Sequence, residues 1–248
     1  MDRRYRVSSG IVIRRLALPR GDVVATLLGP DGKWRGVARK GRLPGGNPGR
    51  LSLFHDVTVQ YYRRREDDLA LLTQVQLNGV LPRLSEPEVY PYAHLLAELV
   101  DRLTVGLHPG EGLYQYLASG LRGVDHHPDP ERVALVYAWK LLQQAGLSPR
   151  SRSCLHCGRS DKLSYLDIAA GGFTCVDCAV GQPLPAGVAK ELRGLLGGTV
   201  RTALKTPLTS TDHHWRALRR YLRHHVEDLR SLDNLPRTPG TPTGWGRV

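Results

Sequence analysis

The spacing of apolar residues changes along this chain. Up to about residue 77 they fall in short runs broken by turn signals, and from about residue 85 they recur every three or four positions. The short runs are Ser9–Leu18, Asp22–Leu28, Lys33–Lys40, Phe54–Tyr62 and Leu69–Leu77. Pro19-Arg20-Gly21, Gly29-Pro30-Asp31-Gly32, a Gly/Pro stretch over 41–49 and Glu66-Asp67-Asp68 separate them, each with the residues that turns favour. Val57, Val59 and Tyr61 alternate with Thr58, Gln60 and Tyr62, the period of a half-buried strand. Five short strands in succession predict a small closed barrel. The OB-fold is such a barrel and takes oligonucleotides on one face and in its loops.

The middle of the chain reads as helix. Ser85-Glu86-Pro87-Glu88 has the form of a capping box, followed by Tyr92, Leu96, Leu99 and Leu103 at helical spacing. Pro91 suits only a first turn, so the regular helix starts as late as Tyr90. Glu111–Leu121 is a shorter candidate. Asp129-Pro130-Glu131 supplies a cap, a proline at the first position and an acid in the first turn. The helix it opens runs through Val133, Val136, Trp139 or Lys140, and Leu142, until Gly146 stops it. Near the C-terminus Trp215, Leu218, Leu222, Val226 and Leu229 form a further apolar stripe, with Thr211 or Asp212 as cap. These stripes are core, or a groove for a partner peptide, and sequence alone leaves both open. From Asn234 onward the chain is Pro/Gly-rich without periodicity, as in disordered tails.

Four cysteines carry the sharpest chemical signal. Cys154 and Cys157 form one Cys-x2-Cys pair, and Cys175 and Cys178 form another after seventeen residues. This is the spacing of a zinc ribbon. Each pair offers two thiolates to one ion, and two pairs complete a tetrahedron. Four thiolates also close the coordination sphere, so the zinc is structural, one per chain, with no place for a reactive water. Gly158 and Gly171-Gly172 let the backbone turn tightly beside the pairs. His156 sits inside the first pair as a bystander. His126-His127, His213-His214 and His224-His225 are adjacent pairs that cannot share one helical face. They read as solvated, with the last two pairs as additional phosphate contacts.

Charge adds a partner to this picture. Lys and Arg number 35 against 23 Asp and Glu, for a net of +12, in a chain of 248 residues. The excess is uneven: residues 1–82 carry +8, residues 83–150 carry −2, and residues 201–230 carry +4. Only six of the cations are lysines. Arginine grips phosphate in a fork and stacks on bases, although an arginine-rich codon usage would give the same count. The uneven distribution points to a polyanionic partner. Lys33, Arg35, Arg39, Lys40 and Arg42 run along the third strand into the Gly/Pro loop, Arg50 closes that loop, and Arg63, Arg64 and Arg65 end the fourth strand. These are the leading nucleic-acid contacts. Trp34, Tyr61 and Tyr62 are candidates to stack on bases, with the barrel core as the alternative for each. Arg216, Arg219, Arg220 and Arg223 are the second group. No acid lies between Trp215 and Val226, which predicts that most of them lack partners on their own helix.

Catalytic and membrane signals are missing. No phosphate loop, nucleophile elbow or HExxH motif occurs. No carboxylate cluster suggests a two-metal nuclease, and the chain reads as a binding protein rather than an enzyme. No run approaches the ~18 apolar residues of a membrane helix. The basic N-terminus lacks the apolar core of a secretory signal, and the expected location is the cytoplasm. The fold class is therefore α+β and multidomain: an OB-fold over 1–80, a helical domain in two parts over 81–150 and 183–233, a zinc ribbon over 151–182 between them, and a tail over 234–248.

This order of pieces resembles the RecO family of bacterial recombination mediators over roughly residues 5–232. The most specific stretch is Lys140-Leu141-Leu142-Gln143-Gln144-Ala145-Gly146-Leu147-Ser148-Pro149, then Cys154-Leu155-His156-Cys157-Gly158, then Gly171-Gly172-Phe173-Thr174-Cys175-Val176-Asp177-Cys178. Ser9-Gly10-Ile11-Val12-Ile13 and Gly36-Val37-Ala38-Arg39-Lys40-Gly41 agree with it. Arg20-Gly21-Asp22 departs from it, standing where the family commonly has an acidic "GE". The resemblance implies binding of single- and double-stranded DNA, annealing of complementary strands, and work with RecR to load RecA on DNA coated by single-strand-binding protein (SSB), near the nucleoid. It also implies contact with the acidic C-terminal tail of SSB through the helical part. Arginines 216, 219, 220 and 223 are an alternative seat for that tail, with Trp215 or Trp139 lining an apolar pocket. Two other classes remain open from sequence. One is an RNA- or ribosome-associated zinc-ribbon protein, and the other is a nuclease that needs a divalent metal.

Overall fold

The computed structural model describes all residues except 1–4, 20, 40–46, 66–68, 105–110 and 237–248. Lys40, Arg42 and most of the expected tail lie outside the described residues. Five strands, β1 (Tyr5–Ala17), β2 (Val23–Gly29), β3 (Gly32–Ala38), β4 (Asp56–Tyr62) and β5 (Ala70–Gly79), close a barrel in the order β1-β2-β3-β5-β4. A short helix, α1 (Asn47–Arg50), precedes β4. β3 and β5 pair in parallel, and the other neighbours are antiparallel. The predicted OB-type barrel is present, with strand ends shifted by a few residues.

β1 closes the barrel by serving two neighbours. Its first half, Tyr5–Ile11, pairs with β4, and its second half, Ile11–Ala17, pairs with β2. At the crossover the backbones come close. A Cβ on Gly10 would stand 2.7 Å from the Leu28 carbonyl oxygen, so only glycine fits. A register shift between Val12 and Arg14 adds one residue at Ile13, a bulge of the kind that bends and twists barrel strands. Val12, Ala25, Leu27, Ala38, Val57, Val59, Tyr61, Leu72 and Val75 fill the interior, and Leu51 joins them from the segment after α1.

The barrel also packs on its outside. Ile11, Ile13, Leu28 and Phe54 share one continuous core with the helices. Those helices are α2 (Tyr90–Leu103), α3 (Glu111–His126) and α4 (Pro130–Gln144), followed later by α5 (Ala186–Gly197), α6 (Val200–Lys205) and α7 (Thr211–His225). Between α4 and α5 lies a small sheet of β6 (Leu163–Asp167), β7 (Gly172–Cys175) and β8 (Gln182–Pro183), in the order β7-β6-β8. Its Cys154, Leu163, Leu166, Phe173 and Cys175 belong to the same core. Among the described residues no helix is long and apolar enough to cross a membrane.

Helix ends follow the caps available. Asp129 caps α4 as expected, accepting from the Arg132 backbone N–H at 2.9 Å. Gly146, at φ +76°, follows its end. The capping box at Ser85 does not form. Ser85 closes a 3-10 turn over Pro82–Ser85 and donates its hydroxyl to the Pro82 carbonyl at 2.7 Å, and α2 starts at Tyr90 without a side-chain cap. Ser210, not Thr211 or Asp212, caps α7 by accepting from His213 N–H. That helix ends at His225, so Val226 and Leu229 continue its apolar surface from outside it.

Leu28 is fully buried where barrel and helices meet. Leu28→Ala will cost about 2–5 kcal/mol. Calorimetry will show the whole molecule melting earlier in one transition, because the two parts share a core. A barrel transition left at its original temperature would contradict the shared core.

Candidate metal centre and nucleic-acid surface

The four cysteine sulfurs all lie within 4.8 Å of one another. The Cys157 and Cys175 sulfurs are 3.6 Å apart, close to the ~3.8 Å that a tetrahedron with ~2.3 Å metal–sulfur bonds requires. Two matched turns build the cluster. Gly158 N–H donates to the Cys154 carbonyl at 3.0 Å, and Ala179 N–H donates to the Cys175 carbonyl at 2.9 Å. The residue after each second cysteine is left-handed: Gly158 at φ +75° and Ala179 at φ +47°. Glycine suits the first turn, and alanine accepts strain in the second. Arg159 ties the turns together by pairing with Asp177 and, at 3.5 Å, with Asp161.

The environment already favours one thiolate. Backbone N–H groups, that of Cys157 first, bring the Cys154 thiol down to about 6. Hydrogen bonding to the Cys175 and Cys157 sulfurs, followed by burial, pushes Cys178 up to about 12. Four thiols crowded together resist full ionisation, and a bound cation reverses that by deprotonating the thiols it coordinates. His156 is exposed and outside the cluster.

The ribbon is fastened to the helices. Arg193 of α5 donates to the Ser151 carbonyl at 2.8 Å. Tyr221 of α7 donates to the Leu147 carbonyl at 2.9 Å, and His225 Nε2 lies 2.8 Å from the Ile168 carbonyl oxygen. His225 therefore serves the ribbon rather than a phosphate. His214 is fully buried, with Nε2 2.9 Å from a Glu191 carboxylate oxygen. Burial holds its pKa below the ordinary histidine value. Burial also opposes ionisation of Glu191, but hydrogen bonds from His214 and Thr209 outweigh it and hold that carboxyl low. Of the histidine pairs, these two members are structural.

The candidate DNA contacts divide by where their strands point them. Trp34 packs toward the barrel interior and stacks on Tyr61 with centroids 5.0 Å apart. Tyr61 is buried, so these rings are core rather than open stacking platforms. Tyr62 is half-buried and tilts against Tyr5. The opposite parity of β3 carries Lys33, Arg35 and Val37, with Arg39 just beyond. Lys33 is taken by the helical part: its ammonium donates to the Asp101 carboxylate at 3.0 Å and to the Asp101 carbonyl at 2.8 Å. Arg35 and Arg39 are exposed, without ion pair or side-chain hydrogen bond among the described residues. Arg50 donates to the Val75 carbonyl at 2.7 Å, and Arg63 lies over the Tyr61 ring. Arg64 and Arg65 are exposed at the end of β4.

Arg14 joins this surface, although the sequence reading passed over it. It pairs with Thr26 of β2 from one side while Arg35 pairs with Thr26 from the other. The signal was the basic doublet Arg14-Arg15 at the end of an apolar run.

On α7 most of the four arginines lack a partner on their own helix, as expected, yet three of them are engaged within the protein. Arg216 pairs with Asp212 one turn back, Arg223 reaches Asp233 at 3.1 Å, and Arg219 donates to the Leu232 carbonyl beside the Trp215 ring. Arg220 alone of the four is exposed without an ion pair among the described residues. Trp139 and Trp215 are buried and line none of the cavities described among these residues.

Comparison with known proteins agrees with the architecture. The family described as "Recombination protein O C terminal" matches residues 84–233. The chain is 32% identical over 240 residues to a DNA repair protein RecO of Streptomyces avermitilis, covering 90% of this chain and 95% of that protein. It is 30% identical over 246 residues to a protein of the same name from Roseiflexus sp. (strain RS-1), covering 93% and 84%. A third, from Bifidobacterium adolescentis, is 30% identical over 173 residues, covering 67% and 70%.

The two turns predict opposite effects of exchanging their left-handed residues. Ala179→Gly relieves strain and raises stability by about 0.5–1 kcal/mol, and Gly158→Ala lowers it by about 1 kcal/mol. Thermal unfolding of the metal-loaded protein measures both. Equal signs would show that the turns are not conformationally matched.

Proposed function

The chain belongs to the RecO family of DNA repair proteins, and from that we propose that it is a non-catalytic mediator that binds single- and double-stranded DNA and anneals complementary strands. The observation that carries this reading is the outer face of β1–β3. There Arg14 and Arg35 flank Thr26, and Arg35 and Arg39 are left without partners among the described residues. Cations held this way neutralise phosphates and release counterions. Two strands neutralised on one surface repel each other less, and base pairing then proceeds without any covalent step. The relatives' names describe DNA repair and no reaction.

In this reading the partners beyond DNA are RecR and the acidic tail of SSB, the outcome is RecA loading, and the place of work is the cytoplasm at the nucleoid. The four-thiolate cluster holds zinc. Soft thiolates in tetrahedral array select it, and a closed coordination sphere makes it structural. It would be held by Cys154, Cys157, Cys175 and Cys178, and it would order the ribbon against α5 and α7.

The direct test mixes the protein with two labelled complementary strands and follows pairing with and without Mg2+ at two salt concentrations. Faster pairing without strand loss, weakening with salt, is expected. Strand loss that requires Mg2+ would make the protein a nuclease. Binding that favours structured RNA over DNA would make it an RNA-associated protein.

Two predictions accompany this reading. Arg35→Ala combined with Arg39→Ala will flatten the slope of log affinity against log salt by about 1.4 for single strands and about 1.8 for duplex. An unchanged slope in anisotropy titrations would remove both residues from the interface. Cys175→Ser will abolish the single equivalent of zinc that a metallochromic dye detects on unfolding the unmodified chain, and it will lower helical content. Full zinc content in that variant would contradict the site.

A further inference from the structure

A cavity of about 570 Å3 opens where the barrel meets α2. Ligand pockets span roughly 300–1,000 Å3, so it has room for one nucleotide. Its walls include Arg15 from β1, Phe54 and His55 from the segment before β4, and Val80, Ser85 and Tyr90 from the connection into α2.

Several features distinguish it from a packing defect. Tyr90 stands in the first turn of α2 with 37% of its surface exposed. It is braced by His94, stacked at 5.5 Å and 15°, and by Phe54 at 5.6 Å. An aromatic ring that is both exposed and braced is an ordered platform. Phe54 itself has φ +69°, a left-handed backbone that a bulky residue adopts only when its surroundings force it. Phe54 N–H donates to the Val12 carbonyl at 2.9 Å, Val12 N–H donates to the His55 carbonyl at 3.0 Å, and His55 Nδ1–H donates to the Arg50 carbonyl at 2.9 Å. That last bond leaves His55 Nε2 without a partner among the described residues.

The charges match a phosphate. Arg15 is exposed and has no ion pair or side-chain hydrogen bond among the described residues. Arg15 and Arg14 both line an adjoining cavity against α2, where Arg14 stands 3.9 Å from Asp101, and Arg14 also flanks Thr26 on the basic face, so that face and the cavity meet at this end of β1. Two acids that share that adjoining cavity with Arg15 are already engaged. Asp101 accepts from Lys33 at 3.0 Å. Glu98 accepts from the backbone N–H groups of Arg230 and Ser231 at 3.3 and 2.7 Å, with Arg102 at 3.9 Å.

We propose that this cavity receives one unstacked base of a single DNA strand lying on the basic face, with the base against Tyr90 and the adjoining phosphate on Arg15. The proposal rests on the DNA-binding reading above. A nucleotide is the ligand that presents an aromatic face, hydrogen-bonding edges and an anionic group within one cavity length, and these are the complements of Tyr90, of His55 with Ser85, and of Arg15. A base paired in a duplex is unavailable unless it is flipped out of the stack. The cavity therefore adds affinity for single strands only, on a surface whose arginines serve both forms.

The test measures oligo(dT) and duplex binding by anisotropy for Tyr90→Ala, Tyr90→Phe and Val80→Trp. It also follows the fluorescence of one 2-aminopurine placed in the oligo(dT). Tyr90→Ala will weaken single-strand binding at least about fivefold and leave duplex binding unchanged, while Tyr90→Phe keeps both. Val80 is exposed, so Val80→Trp alters no packed position, and by filling the mouth it will reproduce the selective loss. The 2-aminopurine signal will change on binding to the unmodified protein and not on binding to Tyr90→Ala or Val80→Trp. Equal losses on single strand and duplex, or no loss in either cavity variant, would overturn the proposal and leave the basic face standing. Failure of the unmodified chain to bind either form would instead remove the DNA-binding reading on which it rests.

Discussion

The residue that β1 gains at its bulge governs how the outside of the barrel is used. Successive residues in a regular strand point to opposite faces. Here Val12 fills the barrel, and Ile13 and Arg14 both turn outward. Ile13 enters the core shared with the helices, and Arg14 reaches the solvent beside Thr26 and Arg35. One inserted residue thus lets a single strand close the barrel, anchor the helical part and continue as basic surface. Without it, the alternation would turn Arg14 away from Thr26 and Arg35, and β1 would add no charge to that face.

That arrangement also explains which cations remain for a ligand. Near the junction, charge is spent on architecture: Lys33 bonds Asp101 across the boundary, and Arg50 holds the Val75 carbonyl. On α7, Arg216, Arg219 and Arg223 are likewise engaged within the protein. Lys140, buried in α4, donates to the Leu196 and Gly198 carbonyls at the end of α5, and burial holds its pKa below the ordinary lysine value. Arg35 and Arg39 stay available on the barrel, and Arg152, Lys190, Arg201 and Arg220 are exposed without ion pairs elsewhere among the described residues. The net charge of +12 therefore overstates the binding surface, and the placement of a few arginines carries the electrostatic argument.

Much of this was legible in the sequence where a physical constraint leaves a fixed spacing. A tetrahedral metal requires two close cysteine pairs, and a half-buried strand requires a period of two, so the ribbon and the barrel could both be read. The first residues of β1 could not. Tyr5 and Val7 point to solvent while Arg6 and Ser8 take the inward parity, which inverts the usual pattern, and the backbone ladder to β4 holds the strand regardless. Helices α5 and α6 were hidden by Gly187, Gly194, Gly197 and Gly198, which weaken the helical signal that Val188, Leu192 and Leu195 supply. Strand parity separates Trp34 from Arg35 and Arg39, so its core position was readable in principle. Tyr62 could not be settled that way, because the end of a barrel strand is only partly covered. The junction cavity had no signature, since Arg15, Phe54 and Tyr90 meet only through the fold.

The continuous core links the two candidate sites. Cys154 and Cys175 are buried in the same cluster as Ile11, Ile13 and Phe54, with α2, α4 and α7 between them. Metal binding at such a site is folding free energy, and packed interiors transmit strain rather than absorb it. A metal held by the four cysteines would therefore support the helices against which Phe54 and Tyr90 are braced, although neither ring is near a cysteine in sequence. The basic face is less dependent. Arg35 and Arg39 stand on the solvent side of β3, whose partners β2 and β5 are set by the barrel's own ladder and interior. A disturbance at the ribbon thus reaches the junction through packed side chains before it reaches the arginines, and the basic face is the candidate site least tied to the cysteine cluster.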